Sequence, residues 1–185
     1  MARQPPGGKT TYEAFLELPD HVVGEIVEGE LHVSPRPGSL QARTKIVLCA
    51  ELFVPFCRGK GGPGGWTILP EPEIRIAEQI VVPDLAGWRT ERMPTLPETF
   101  IELAPDWICE VLSEGTAAFD RAKKMPVYAR AGVKHAWLID PVVKTLEVFR
   151  LEGSGWHLVA TLTDERVRAE PFDAIELDLA ALWSR

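Results

Sequence analysis

Two carboxylates stand where a buried strand would ordinarily carry none. Pro83-Asp84 follows the apolar run Ile80-Val81-Val82, and Glu110 lies inside a second run, Trp107-Ile108-Cys109-Glu110-Val111-Leu112. Both runs read as buried strands, and an ionised carboxylate is costly to desolvate unless it is paired or holds a metal. Two such acids on neighbouring strands, with Lys123-Lys124 soon after, form the pattern of a metal-dependent phosphodiesterase site. The acids suit Mg²⁺ or Mn²⁺, since Mg²⁺ takes oxygen ligands in near-octahedral geometry and keeps several of its waters. Such an ion polarises a phosphate and lowers the pKa of bound water.

The elements around these acids have to aim them. Strand alternation puts Ile108, Glu110 and Leu112 on one face and Trp107, Cys109 and Val111 on the other. Glu110 therefore points at whatever helix covers the sheet. Asp84 ends its own run just after a proline, which places it at a sheet rim. In the helix predicted from about Ala117 to Ala131, Asp120, Lys124 and Tyr128 recur every fourth residue and share one stripe. A plainer reading of that stripe is an exposed Asp–Lys pair worth a few tenths of a kcal/mol, with a tyrosine alongside. Pro126 removes one helical hydrogen bond and predicts a kink.

Elsewhere the pattern predicts a short helix over Thr11–Leu18 and a hairpin from Gly24 to Val33 turning at Glu28-Gly29. A helix follows from Leu40 to about Phe56, with Ser39 as its cap and Leu40, Ile46, Val47, Ala50, Phe53 and Val54 as a wide buried face. Arg58 to Gly65 is a glycine-rich loop without the residue order of a phosphate-binding loop. Strands are predicted at Trp66–Leu69, Glu73–Ile76, Gln79–Val82, Trp107–Leu112, Lys134–Ile139, Thr145–Leu151 and Trp156–Leu162, with loop from Arg89 to Leu103 and a terminal helix over Leu177–Trp183. Strands in the middle with helices before and after, and no strict βαβ repeat, predict an α/β mixed sheet flanked by helices.

Composition narrows the class. The 185 residues suit one domain, expected over 11–185 behind a disordered arm at 1–10. No apolar stretch approaches the roughly 20 residues that span a bilayer, and the polar start resembles no signal peptide, so a cytoplasmic protein is expected. Three cysteines without a CxxC pair, and four scattered histidines, argue against a zinc site. The net charge of −7 weighs against tight nonspecific DNA binding, although basic residues collect at Arg36, Arg43 and Lys45 and again at Arg121, Lys123, Lys124 and Arg130.

Several segments resemble the bacterial Uma-two-type family, restriction-endonuclease-like proteins of the PD-(D/E)XK nuclease superfamily. They are Val82-Pro83-Asp84-Leu85, the run from Pro105 to Ser113, Asp120-Arg121-x-Lys123-Lys124-x-x-x-Tyr128, the continuation Ala131 to Pro141, and the early Glu25 to Leu31. The resemblance covers roughly Tyr12 to Trp183. It implies a restriction-endonuclease-like fold and a Mg²⁺- or Mn²⁺-dependent nuclease site, with Asp84 and Glu110 as metal-binding acids and Glu25 as a possible third. Two departures stand out. The superfamily motif would put lysine at position 112, where this chain has Leu112, and the matching lysine is Lys124 on the following helix, with Lys123 beside it. Leu40 stands in the region where family members often carry a histidine.

The resulting expectation is an endonuclease acting on nucleic acid, DNA above all, with Asp84, Glu110 and Lys124 as its catalytic set and Glu25, Tyr128 and Lys123 as additional candidates. The rival is a noncatalytic binding or scaffold protein that keeps the fold, favoured by Leu112 and the acidic charge. Trp66, Trp137, Phe149 and Trp156 exceed what one small core needs, which predicts a symmetric homodimer.

Overall fold

The alternating run in the N-terminal third folds as its pattern predicts. In the computed structural model, which describes Ala2–Arg3 and residues 10–184, β2 (Val22–Val27) pairs antiparallel with β3 (Glu30–Pro35). Glu28 and Gly29 close the hairpin at φ of 55° and 79°, the left-handed pair that a two-residue turn favours. Thr10 caps the preceding helix α1 (Thr11–Leu16) through a reciprocal exchange with Glu13. β1 (Ala2–Arg3) pairs with β3, while β6 (Gln79–Val81) and β5 (Ile74–Ile76) continue from β2 into a five-stranded sheet. The expected disordered arm otherwise lies outside the described residues.

The second sheet positions the acids. Its order is β11 (Gly155–Leu162), β10 (Thr145–Glu152), β9 (His135–Asp140), β8 (Trp107–Val111), β7 (Leu85–Arg89) and β4 (Trp66–Pro70). Within this sheet, among the described residues, only β8 and β9 pair parallel, a connection that needs a crossover. It is supplied by α3 (Ala117–Phe119), a wide π-helical turn over Asp120–Lys124 and α4 (Met125–Arg130). The sheet is therefore mixed and flanked by helices. One face packs Trp66, Trp107, Trp137 and Ile139 against Leu48 and Leu52 of α2 (Ser39–Leu52) and Leu179 and Leu182 of α5 (Leu179–Trp183). The opposite face sets Ile108, Ala136 and Leu138 against Met125, Val127 and the inner side of the first sheet at Val27 and Val81.

Five expectations need correction. β7 falls in a stretch with no β-rich pattern, because Ala86 and Gly87 hide it. A Cβ on Gly87 would come within 3.2 Å of both Trp107 and Trp66, tighter than ordinary contact, so a larger residue there would press on the two buried tryptophans that flank it. On α2 the buried residues are Thr44, Lys45, Leu48 and Leu52, whereas Leu40, Ile46, Phe53 and Val54 are exposed. The more hydrophobic residues of the helix face solvent, and the buried stripe contains a lysine. Gly38 rather than Ser39 occupies the cap position, and the helix runs into a π-helical turn at Phe53–Cys57. The terminal helix is shorter than expected, since Leu177–Asp178 (β13) pairs with Arg166–Val167 (β12) before α5 begins. Finally, the aromatic surplus serves the two cores: Phe172 sits with its ring 4.7–5.5 Å from Phe56, Trp66, Trp107 and Trp137, and the half-buried Phe149 and Trp156 pack against the other cluster. The reason for expecting a homodimer is thereby removed.

Candidate active site

Alternation on β8 delivers Glu110 to the face covered by the crossover, with Ile108 and Leu112 beside it and Trp107 and Cys109 on the reverse. Asp84 lies in the link where the chain leaves β6 in one sheet and enters β7 in the other. That position is a junction rather than a rim, and the side chain is clamped: Val111 N donates to its Oδ2 at 2.7 Å, and its own backbone N–H reaches Glu110 Oε2 at 3.4 Å. Both carboxylates line one cavity of about 350 Å³, whose wall also includes Ser34–Gly38 at the end of β3 and before α2, and Ser113, Gly115 and Thr116 after β8.

The helical stripe reaches the same place. The Lys124 ammonium lies 2.9 Å from Glu110 Oε1, 3.0 Å from Glu25 Oε1 and 3.8 Å from Asp120 Oδ1, and it donates to Val82 O at 3.2 Å. Glu25 is fixed in turn by Val82 N at 2.8 Å. Tyr128 donates its hydroxyl to Glu110 Oε1 at 2.6 Å and is fully buried. Pro126 does not kink the stripe away, because the π-helical turn just before it absorbs the missing hydrogen bond. Met125 N–H bonds to Asp120 O there, so the register has already widened by one residue where proline enters.

The stripe is buried and not the exposed pair of the plainer reading: Lys124 is 3% exposed, whereas Lys123 is 43% exposed and pairs with Glu28 at 2.9 Å. Lys123 therefore stands outside the site. Its neighbour's charge survives burial because Glu110 first, and then Glu25, hold the Lys124 ammonium well above its usual range against the cost of desolvation. Burial pushes the Glu110 carboxyl well above the ordinary range, opposed by Lys124. Burial likewise raises Asp120 from 3.8 to about 6, and the Tyr128 hydroxyl is raised by burial and by Glu110.

Two further residues escaped sequence reasoning as site members: Glu71, which lines the cavity, and Lys45, which contacts its Asp84. Lys45 of α2 contacts Asp84 Oδ1 at 3.2 Å and pairs closely with Glu71. Glu71 holds a positive φ of 48° and donates its backbone N–H to Asp84 O at 3.1 Å. The available signal was Lys45 three residues before Leu48 and seven before Leu52, the spacing of a single helix face. A lysine on an otherwise apolar stripe needs a buried partner.

The described residues 12–180 match the sequence pattern of the Uma-two family, described as "Putative restriction endonuclease". The chain belongs to that family. A solved structure described as a putative nuclease belonging to DUF820, from Anabaena variabilis, superposes with a TM-score of 0.73 at 21% identity, covering 95% of this chain and 98% of that one. That likeness shows the fold. No curated protein matches.

Uma-two membership implies a divalent metal, and the donor chemistry of this site fits one. Glu25, Glu71, Asp84, Glu110 and Asp120 present carboxylates to the cavity, against the ammonium groups of Lys45 and Lys124. The excess is negative and the donors are all oxygen, as a hard cation prefers. Among the described residues no three acid, histidine or cysteine side chains close to metal-holding distance. Mg²⁺ does not require that, since it is commonly bound through one or two carboxylates and several waters.

Proposed function

We propose that this Uma-two protein is a divalent-metal-dependent nuclease that hydrolyses phosphodiester bonds in nucleic acid, DNA in the first instance. The observation that carries the reading is a buried lysine reaching Glu110 from the crossover helix, beside Asp84, in one cavity. Asp84 and Glu110 would hold Mg²⁺ or Mn²⁺. When bound, the ion supplies Lewis acidity toward the phosphate. Lys124 holds Glu110 with its charge and has the position to orient an attacking water and to stabilise charge building on the phosphate, a preorganised effect that often dominates catalysis. Glu25 fixes Lys124 from the other side. Tyr128 is too buried to touch substrate, so it acts on Glu110 as a positioning residue. The missing lysine at 112 follows from the packing: Leu112 is buried in the apolar cluster under the crossover, and the helix above supplies the ammonium instead.

The rival reading keeps the fold for binding alone. It draws on the pairing of Lys123 and Arg130 with Glu28 and of Arg121 with Glu147, which leaves little free positive charge beside the site for a nucleic-acid backbone. Cleavage assays on single- and double-stranded DNA and RNA, with Mg²⁺, Mn²⁺ or chelator, decide between them. Metal-dependent cleavage by the wild type that is lost in Asp84→Asn and Glu110→Gln supports the nuclease. Inactivity of the wild type on every substrate leaves the binding protein.

A further inference from the structure

We propose that Lys45 takes the place of a second divalent cation, so that its ammonium, bridging Glu71 and Asp84, limits the site to a single ion held on the Glu110 side. This rests on the metal-dependent reading above and adds to it the number of ions.

The two lysines that contact the cavity's acids arrive from opposite faces of the six-stranded sheet. Lys124 comes from the crossover, which packs with Ile108 and Leu138, and Lys45 comes from α2, which packs with Trp107 and Trp137. They meet different acids. Lys124 takes Glu110 Oε1 and Glu25 Oε1, leaving Glu110 Oε2 near the Asp84 backbone. Lys45 takes Asp84 Oδ1 and one oxygen of Glu71, while the other Glu71 oxygen lies 3.6 Å from Arg36. A cation shared by two carboxylates from separate chain segments balances their charge as a bridging metal ion would, without that ion's Lewis acidity.

The arrangement is built rather than incidental. Glu71 adopts a left-handed backbone at φ 48°, a conformation that costs an L-residue roughly 1–2 kcal/mol. The strained residue is locked beside Asp84 by its backbone N–H at 3.1 Å from Asp84 O. Lys45 itself is largely buried on a helix whose other buried residues are Thr44, Leu48 and Leu52, where an unpaired ammonium would not be tolerated. Removing its charge leaves Glu71 and Asp84 facing each other with no cation between them, and a divalent ion with retained waters is the natural replacement.

The count of bound ions tests this without reference to catalysis. Mn²⁺ alone is titrated into the metal-free protein, and free Mn²⁺ is followed by its electron paramagnetic resonance signal. The wild type is expected to bind one ion, Lys45→Arg one, and Lys45→Gln two. Adding Glu71→Gln to Lys45→Gln should return the count to one, because the second ion loses its other carboxylate. Lys45→Met serves as a second neutral replacement if the glutamine variant fails to fold, with circular dichroism as the check. Two ions in the wild type overturn the proposal, as does one ion in a folded neutral variant. If the wild type binds none, the metal-dependent reading falls and the proposal falls with it.

Discussion

Replacing Asp120 with asparagine should stabilise this protein at neutral pH, although the aspartate lies 3.8 Å from a lysine. The reason is burial: desolvation outweighs Lys124 and the Thr116 hydrogen bond, and raises the carboxyl from 3.8 to about 6. A carboxyl raised on folding favours the folded state while it remains protonated. That contribution is fully present below about pH 3.8 and is lost as pH rises through about 6. At about 1.4 kcal/mol per pH unit, the interval amounts to about 3 kcal/mol against the wild type above pH 7. Asparagine is close in shape, carries no charge and can still meet Thr116, so it escapes the penalty. Urea unfolding with chelator present, at half-unit steps from pH 4 to 8, should show the two proteins nearly equal at pH 4. Asp120→Asn should then gain steadily, reaching about 2–3 kcal/mol by pH 7. A variant less stable than the wild type by the same amount at every pH would refute the reasoning, because the Asp120–Lys124 pair would then be a net stabiliser.

The other members of the site respond differently. Lys124→Met should lose about 3–5 kcal/mol, since it leaves Glu110 and Glu25 buried without their cation. It should also abolish metal-dependent cleavage, while Lys123→Ala should change stability by less than about 0.5 kcal/mol and leave the rate unaltered; thermal melts and cleavage assays read both. Tyr128→Phe removes the 2.6 Å hydrogen bond to Glu110 and should cost about 1–3 kcal/mol. It should also weaken Mn²⁺ binding about 10-fold, measured by calorimetry. Phe172→Ala, at the centre of four aromatic rings, should cost about 3–5 kcal/mol in urea unfolding without altering the ions bound.

Which parts of this molecule could be read from its residues depends on what kind of anomaly each one makes. Glu110 was legible because a carboxylate among Ile108, Cys109 and Val111 breaks an apolar strand, and strand alternation then fixes the face it shows. Lys124 was legible through its spacing from Asp120 and Tyr128. Its burial was not, because a helical stripe of polar residues looks the same whether water or a sheet lies beneath it. The π-helical turn that keeps this stripe aligned past Pro126 has no signature in local pattern, since Glu110 and Glu25, the acids that hold its Lys124, lie on strands distant in sequence.

Lys45 and Glu71 show the deeper obstacle. Glu71 is not anomalous locally, being a glutamate in a turn, and Lys45 shows only as a charge in phase with Leu48 and Leu52. Each acquires meaning only when α2, on one face of the central sheet, and the link between β4 and β5 are brought to Asp84. β7 was hidden for a related reason, because Gly87 answers the close approach of Trp66 and Trp107 on the two neighbouring strands and so looks locally like a turn. Residues selected by their own strand or helix announce themselves in sequence, whereas residues selected by a neighbour across the sheet do so only once the neighbour is known. The acid pair is of the first kind. The cations that tune it are of the second, and the number of ions the site can hold is therefore a property of tertiary structure.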